Sequence, residues 1–119
     1  MAKYIIGVDY GTLSGRAIAI DAKTGRELPN VCDYAYPHAV MKTELPSGKS
    51  LPVDYALQDP QDYLETISHV VPDVMFKNGI SADDVIAIGI DFTACSVLPV
   101  DAQGNPLCFS GTYRNDPLA

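Results

Sequence analysis

Two short apolar runs separated by a polar turn open the chain. Residues 5–8 (I-I-G-V) form the first run and residues 17–20 (A-I-A-I) form the second. Each run is long enough for a strand and too short for a helix, and the turn between them is rich in glycine and hydroxyl residues. The pattern predicts a β-hairpin. A turn signal at residues 21–25 leads to a predicted third strand over residues 27–36, which completes an antiparallel meander.

One helix is predicted after an irregular stretch over residues 37–57, where prolines and a glycine break every period. Asp59 is a good N-cap, and Pro60 suits the first helical position. Residues 78–79 (N-G) are typical of a helix end. The residues expected on the apolar face recur at helical spacing: Leu64, Ile67, Val71, Val74 and Met75. Pro72 lacks an N–H group inside this helix and is expected to kink it.

A second buried strand is predicted after the helix. Residues 85–90 (V-I-A-I-G-I) form a continuous apolar run, which is typical of a strand covered on both faces. A strand that follows a helix returns most simply by a right-handed crossover, so this strand is expected to lie parallel to the first. Residues 97–101 and 107–109 suggest a further hairpin around residues 102–105. Together these elements predict an α/β fold.

The composition limits the classes of function that the chain can have. Its 119 residues suffice for one domain, and a net charge of −7 argues against a surface for nucleic acid or an anionic membrane. No apolar run approaches the ~20 residues that a membrane span needs. The chain starts without a signal-peptide pattern and holds three widely spaced cysteines, so we expect reduced thiols in a cytoplasmic protein.

The polar turn after the first strand has the composition of an anion site. Gly11 and Gly15 leave room for a ligand near the backbone. The hydroxyls of Thr12 and Ser14 add donors to the N–H groups of the turn, which can converge on an anion. The alternative interpretation is a plain hairpin turn that requires glycine.

Charged residues flank this turn, and one of them has a counterpart later in the chain. Asp9 is placed to hold a hydrated magnesium ion, and Arg16 could supply a fixed positive charge to a phosphoryl group. The residues around Asp9 match those around Asp91 in type. A threonine follows shortly after each aspartate, Thr12 after Asp9 and Thr93 after Asp91. On parallel strands the two aspartates would emerge at the same edge, where α/β sheets bind ligands. The alternative is that both merely terminate strands.

Cys95 and His69 each allow a catalytic interpretation. Cys95 could be a nucleophile, but no cysteine–histidine arrangement accompanies it, and a small residue lining a pocket is the simpler interpretation. His69 could be a general base, yet it has no partner in the sequence, and we prefer a surface or packing role.

The segment from Asp9 to Arg16 (D-Y-G-T-L-S-G-R) resembles the first phosphate motif of the FGGY carbohydrate kinases. Residues 91–95 (D-F-T-A-C) resemble the ribulokinase branch of that family. Residues 98–101 (L-P-V-D) and 104–107 (G-N-P-L), which follow in the chain, are part of the same resemblance. Residues 56–63 (A-L-Q-D-P-Q-D-Y) add to the match. The resemblance runs across essentially the whole chain.

The resemblance implies an incomplete ribonuclease H-like (actin-like ATPase) fold: a three-stranded meander, a crossover helix, a parallel strand and an extra hairpin. It also implies transfer of the γ-phosphoryl group of MgATP to a sugar, which is L-ribulose in that branch. Asp9 would help to place Mg²⁺. The residues facing the ATP phosphates would be Gly11, Thr12, Leu13, Ser14 and Arg16. The substrate residues would be Asp91, Thr93, Ala94 and Cys95, with Ala94 in contact with the sugar.

Members of that family are several times longer than this chain, and their catalytic aspartate, adenosine site and most sugar ligands lie beyond the first quarter. Residues 1–119 are therefore expected to be the N-terminal part of the first kinase domain, without turnover of their own. Such a fragment has too few helices to cover one face of the sheet, so we expect an exposed apolar patch or self-association, with a dimer as the simplest oligomer. Three alternatives stay open: a kinase for D-ribulose or another ketopentose, a non-metabolic actin-like ATPase or chaperone domain, and a stand-alone binding or regulatory domain.

Overall fold

The computed structural model describes residues 1–119 and contains one four-stranded sheet with one α-helix packed against it. The strands are β1 (Tyr4–Tyr10), β2 (Ser14–Asp21), β3 (Cys32–Ala35) and β4 (Val85–Phe92), in the spatial order β3-β2-β1-β4. β2 pairs antiparallel with both β1 and β3, whereas β4 lies parallel to β1. The predicted meander and the parallel fourth strand are confirmed.

The third strand is shorter than predicted, since it covers Cys32–Ala35 and not residues 27–36. Glu27 forms only an isolated bridge with Ile20, and Pro29 follows shortly after it. Because proline has no N–H group, it cannot donate to the ladder of hydrogen bonds. The chain pairs with β2 again only at Cys32.

The helix, α1 (Pro60–Asn78), begins and ends where the sequence predicts. The Asp59 side chain accepts a hydrogen bond from the backbone N–H of Gln61, which satisfies one of the free donors in the first turn. Gly79 has a left-handed backbone with φ of 65°, as a helix-ending glycine requires. Pro72 lies inside α1, and the helix continues beyond it.

The buried face of α1 differs from the predicted apolar face. Its buried residues form a row at a spacing of four: Asp62, Thr66, Val70 and Val74. Ile67, Val71 and Met75 are only partly buried, and Leu64 is 54% exposed. Hydrophobic periodicity alone could not find this row, because two of its four members are polar.

Both polar members of this row are hydrogen-bonded, as buried polar groups usually are. The Asp62 carboxylate accepts from the backbone N–H of His38 and also contacts the His38 ring. The Thr66 hydroxyl donates to the carbonyl of Asp62. The start of α1 is thereby tied to the chain that leaves β3.

The core lies between α1 and the sheet face formed by β1, β2 and β3. Its buried side chains include Ile6, Val8, Tyr10, Ala17, Ala19, Val70 and Val74. The opposite face of β1 is lined by Ile5, Gly7 and Asp9, which are less buried. α1 therefore covers one side of the sheet and leaves the other side accessible.

β4 is exposed, so the prediction of burial on both faces is wrong. Ile86, Ile88, Ile90 and Phe92 are between 49% and 66% exposed. Since Ile88 is in register with buried Ile6, these side chains lie on the α1 side of the sheet. α1 packs mainly on β2 and β3 and leaves this strip uncovered. The apolar sheet face expected from the resemblance is present.

The remaining segments are largely irregular. Residues 37–57 contain two isolated bridges and no strand, as predicted. The predicted hairpin over residues 97–109 is reduced to one bridge, between Val100 and Pro106. Leu107–Phe109 forms a 3₁₀ turn in place of the second strand. No helix in the chain combines the length and apolar character that crossing a membrane demands.

Candidate functional site

A row of four charged residues crosses the sheet near the end of β1. In the strand register Asp33 lies opposite Arg16, Arg16 opposite Asp9, and Asp9 beside Asp91. Neighbours in register share one face of the sheet, and this face points away from α1 because the residues flanking Asp9 are buried under the helix. The predicted meeting of Asp9 and Asp91 at one edge is confirmed.

This charged row (Asp33, Arg16, Asp9 and Asp91) holds three carboxylates and one guanidinium. Arg16 Nε lies 3.9 Å from Asp9 Oδ2 and 3.8 Å from Asp33 Oδ1. These side chains are half exposed or more, and such long, solvated ion pairs contribute little to stability. Arg16 therefore remains available to an incoming anion. Asp91 forms no ion pair within the chain, so the row has an excess of negative charge.

Tyr36 holds the β1–β2 turn, which comprises residues 11–14. The Tyr36 hydroxyl donates to the carbonyl of Gly11 at 2.8 Å, and the Tyr36 backbone N–H donates to the carbonyl of Leu13 at 3.0 Å. Within the turn, the N–H of Gly11 donates to the carbonyl of Ser14 at 2.9 Å. Because Tyr36 is only 4% exposed, these bonds fix the turn from the core side.

Gln58 binds the remaining carbonyl of the β1–β2 turn. Its Nε2 donates to the carbonyl of Thr12 at 2.8 Å, so every carbonyl of the turn has a partner within the chain. In contrast, the N–H groups of Thr12 and Leu13 donate to no acceptor in the chain, and both residues are exposed. A fixed turn with unpaired N–H groups is what an anion-binding site requires.

The two glycines of the first motif serve packing rather than an unusual backbone conformation. Neither Gly11 nor Gly15 has a positive φ. A Cβ atom at Gly15 would collide with Cγ2 of Thr66 on α1, and one at Gly11 would lie 3.0 Å from the Ser14 carbonyl oxygen. The expectation that Gly15 leaves room for a ligand is wrong, because the space belongs to the helix.

Tyr10, Tyr36 and Tyr63 form an aromatic cluster that connects the β1–β2 turn with α1. The ring centroid of Tyr63 lies 5.0 Å from that of Tyr10 and 5.3 Å from that of Tyr36. The Tyr10 hydroxyl donates to the carbonyl of Tyr63 at 2.9 Å. Burial raises the pKa of all three phenols, so each hydroxyl keeps its proton and its donor role at neutral pH.

The segment after β4 lies next to the end of β1. The backbone N–H of Thr93 donates to the carbonyl of Tyr10 at 3.2 Å, which extends the pairing of the two strands. Ala94 and Cys95 follow and are exposed. Cys95 has a φ of 69°, a left-handed conformation that residues other than glycine adopt rarely. Strained positions of this kind are concentrated at functional sites.

Sequence reasoning missed three residues that contact this site from nearby: Asp33, Tyr36 and Gln58. Only the strand register reveals that Asp33 shares Arg16 with Asp9. The roles of Tyr36 and Gln58 depend on contacts with a turn more than twenty positions away in the chain. Gln58 did carry one signal, since it stands immediately before the N-cap of α1.

Two histidines lie outside the charged row. His38 Nδ1 lies 2.9 Å from Asp59 Oδ2 and 3.1 Å from Asp62 Oδ1 at the start of α1. These ligand atoms lie close enough to hold a metal ion, but they already bond to one another and tie the loop to the helix. His69 stacks on Tyr34 with centroids 4.4 Å apart, in agreement with the preferred packing role.

A sequence profile of the N-terminal domain of the FGGY family of carbohydrate kinases matches residues 4–110. That span contains the charged row, the β1–β2 turn, α1 and β4. The chain belongs to the FGGY family of carbohydrate kinases. The family resemblance of its first motif is therefore confirmed.

Curated relatives of this FGGY chain are ribulokinases. The chain is 50% identical over 118 residues to the ribulokinase of Halalkalibacterium halodurans, an alignment that covers 97% of this chain and 20% of the relative. It is 51% identical over 119 residues to the ribulokinase of Shouchella clausii, covering 98% of this chain and 21% of the relative. The chain thus spans about a fifth of the length of the curated relatives it matches.

Two solved structures with a similar fold are a gluconate kinase and a xylulose kinase. Gluconate kinase from Lactobacillus acidophilus matches with a TM-score of 0.70 at 22% identity, covering 90% of this chain and 19% of that chain. Xylulose kinase from the same organism matches with a TM-score of 0.68 at 23% identity, covering 88% and 18% respectively. At such low identity the similarity establishes the fold alone, and it confirms the incomplete ribonuclease H-like (actin-like ATPase) fold.

Proposed function

We propose that residues 1–119 form the N-terminal part of the first domain of an ATP-dependent kinase. Its reaction is phosphorylation of L-ribulose to L-ribulose 5-phosphate in arabinose catabolism. The observation that carries this proposal is the identity of 50% and 51% to two ribulokinases over nearly the whole chain. Family membership supports a carbohydrate kinase, and these relatives support the narrower substrate.

The β1–β2 turn takes the ATP phosphates in this proposal. The residues assigned to the phosphates are Gly11, Thr12, Leu13, Ser14 and Arg16. The exposed, unpaired N–H groups of Thr12 and Leu13 support the assignment. A phosphate can accept from both without disturbing the turn, because the carbonyls of the turn already have partners within the chain. Arg16 adds a positive charge that only weak, solvated ion pairs hold.

Asp9 helps to hold the Mg²⁺ that accompanies ATP, with Asp91 beside it. The donor set fits this ion, since adjacent carboxylates offer the hard oxygen ligands that Mg²⁺ prefers. A divalent cation would also balance the excess negative charge of the charged row. When bound, Mg²⁺ neutralises charge on the phosphates during phosphoryl transfer.

The sugar lies against the segment after β4 in this proposal. Asp91, Thr93, Ala94 and Cys95 are assigned to it, with Ala94 in contact. The hydrogen bond between Thr93 and Tyr10 supports the assignment, because it places this segment beside the β1–β2 turn. A sugar hydroxyl and a terminal phosphate bound at these two places would be close neighbours, as an in-line transfer needs.

The residues of this chain bind and orient the reactants, and no catalytic base is assigned among them. We place the base in the remainder of a longer protein and propose that residues 1–119 alone have no turnover, because phosphoryl transfer requires many groups positioned at once. ATP and a sugar are the proposed small-molecule partners. We also propose that the protein is cytoplasmic and forms a dimer in solution.

Identification of the product tests this proposal. A full-length FGGY kinase that carries these residues is incubated with MgATP and, in separate reactions, with L-ribulose or D-ribulose, and the phosphorylated product is analysed by phosphorus and carbon NMR. We expect an ester at O5 of L-ribulose. An ester on another ketopentose with none on L-ribulose would contradict the substrate, and ADP release by residues 1–119 alone would contradict the division of roles.

A further inference from the structure

Gln58 contacts both halves of the proposed site. Its Nε2 donates to the carbonyl of Thr12 at 2.8 Å. Its Oε1 accepts from the hydroxyl of Tyr63 at 2.7 Å and lies 3.5 Å from the hydroxyl of Ser96. Thr12 belongs to the β1–β2 turn, and Ser96 belongs to the segment after β4. The contact with Ser96 is at the long end of hydrogen-bond distances, so the bonds to Thr12 and Tyr63 carry the argument.

The chemistry of the partners fixes the orientation of the Gln58 amide. A backbone carbonyl can only accept, so the group that faces Thr12 must be the amide nitrogen. The carbonyl oxygen of Gln58 then faces Tyr63, whose hydroxyl donates to it. With the amide flipped, two acceptors would face each other at Thr12, which is unfavourable. The side chain therefore has one arrangement that satisfies both partners.

The backbone of Gln58 and its partner Tyr63 are both held in place by neighbouring residues. It directly precedes Asp59, the N-cap of α1, so its backbone is fixed by the start of the helix. The Tyr63 ring packs against Tyr10 and Tyr36, and the Tyr10 hydroxyl binds the backbone of Tyr63. Gln58 thus links the Thr12 carbonyl of the β1–β2 turn to the aromatic cluster of Tyr10, Tyr36 and Tyr63.

We infer that Gln58 is a positioning residue that orients the β1–β2 turn for the phosphates of ATP through its hydrogen bond to the carbonyl of Thr12. The inference rests on the proposed function of that turn and goes beyond it by assigning a residue outside both motifs. The Thr12 carbonyl and the Leu13 N–H belong to one planar peptide unit, so the bond from Gln58 to that carbonyl also fixes the direction of the unpaired Leu13 N–H. Loss of the bond lets this peptide rotate and weakens its interaction with the anion.

Gln58→Glu in the full-length protein separates this role from simple packing. Glutamate has the same shape and keeps an acceptor for the Tyr63 hydroxyl, but it cannot donate to Thr12 at neutral pH. Gln61→Glu is the matched control, because Gln61 is an exposed residue of the first turn of α1 and receives the same change of charge. Tyr63→Phe removes only the hydroxyl that orients Gln58.

The dissociation constant of a non-hydrolysable MgATP analogue is measured for each variant, together with KM for ATP, KM for the sugar and the melting temperature. For Gln58→Glu we expect the dissociation constant and KM for ATP to rise about three- to tenfold, the size of one lost hydrogen bond. Tyr63→Phe should shift them in the same direction by less. Sugar KM and melting temperature should change little in either variant.

Nucleotide affinity of Gln58→Glu within twofold of Gln61→Glu would overturn the inference. A weaker nucleotide affinity that is accompanied by a clearly lower melting temperature, in both Gln58→Glu and Tyr63→Phe, would also overturn it, since that pattern indicates a packing role. If the parent protein binds the analogue but phosphorylates no ketopentose, the proposed function fails, while the comparison of dissociation constants still decides the role of Gln58.

Discussion

Asp9 and Asp91 lie side by side in register on the parallel strands β1 and β4. The meander and α1 separate them in the chain, so only the crossover brings the two carboxylates together. They emerge at the carboxyl ends of parallel strands, which is where α/β sheets bind ligands. The two aspartates are therefore neighbours at this edge of the sheet, and we propose that they belong to one site.

Asp9→Asn in the full-length kinase should lower kcat by at least about a hundredfold, because the amide is a poorer ligand for Mg²⁺ and removes charge from the site. The fold should be retained, since the Asp9 side chain is half exposed and its ion pair is long. Initial rates are measured over a range of Mg²⁺ concentrations, and high concentrations of the ion should partly restore the activity.

Asp33→Asn is the matched control for Asp9→Asn. It removes an equal charge from the other side of Arg16 but lies three strands away from Asp91. We expect activity close to that of the parent protein. Equal rates for Asp9→Asn and the parent would remove Asp9 from the metal site.

Arg16→Ala should lower kcat/KM for ATP roughly ten- to a hundredfold, the range for losing a hydrogen bond to a charged group. Steady-state kinetics at saturating sugar measure the effect. Arg26→Ala is the control, because Arg26 is exposed in the turn between β2 and β3 and forms no ion pair. Unchanged kinetics in Arg16→Ala would make Arg16 a structural residue.

Gly15→Ala should destabilise the 119-residue chain by about 1–3 kcal/mol, because the new Cβ collides with the Thr66 side chain in a packed interface. Thr66→Ser removes the colliding methyl group, so the double variant should recover most of the loss. Gly111→Ala is the control, since nothing lies within 4 Å of its Cβ position and its φ is not positive. Urea unfolding provides the measurement, and full stability in Gly15→Ala alone would contradict this packing account.

Tyr36→Phe should lower the free energy of unfolding by about 1 kcal/mol at pH 8, because the hydroxyl no longer binds the Gly11 carbonyl. Burial raises the pKa of Tyr36 in the folded state above its ordinary value of about 10. The contribution of Tyr36 is thus fully present below pH 10 and is lost above it, as the unfolded phenol ionises first.

The difference in stability between the parent and Tyr36→Phe should therefore shrink as the pH rises above about 10. Unfolding in urea at pH 8 and at higher pH values measures both chains under the same conditions. Tyr10 and Tyr63 are present in both, so their ionisation largely cancels. A difference that grows above pH 10 would contradict the account.

The hairpin, the parallel strand and the helix bounds could be predicted because their signals are local. Asp59, Pro60 and Gly79 act on the backbone next to them, and each acts as expected in the structure. The pairing of Asp9 with Asp91 was also predictable, since it needed only two matched strand endings and the rule for crossovers.

What could not be predicted depends on contacts distant in the chain. Thr66 is buried because Gly15 leaves a space for it, and Asp62 because His38 satisfies it. Neither fact is visible in a hydrophobic pattern. The sequence of β4 is typical of a buried strand, but no other part of the 119 residues covers its isoleucines. Gln58 gives no sign of its contact with Thr12 until the turn and the helix are seen together.

Sugar-dependent ADP release by the full-length kinase tests the central claim most directly. The protein is assayed with MgATP against a panel of pentuloses and pentitols, including L-ribulose, D-ribulose and D-xylulose. We predict the highest kcat/KM for L-ribulose and little ADP release without sugar. ATP hydrolysis that is independent of every sugar would contradict the account, because the β1–β2 turn would then serve an ATPase and not a ribulokinase.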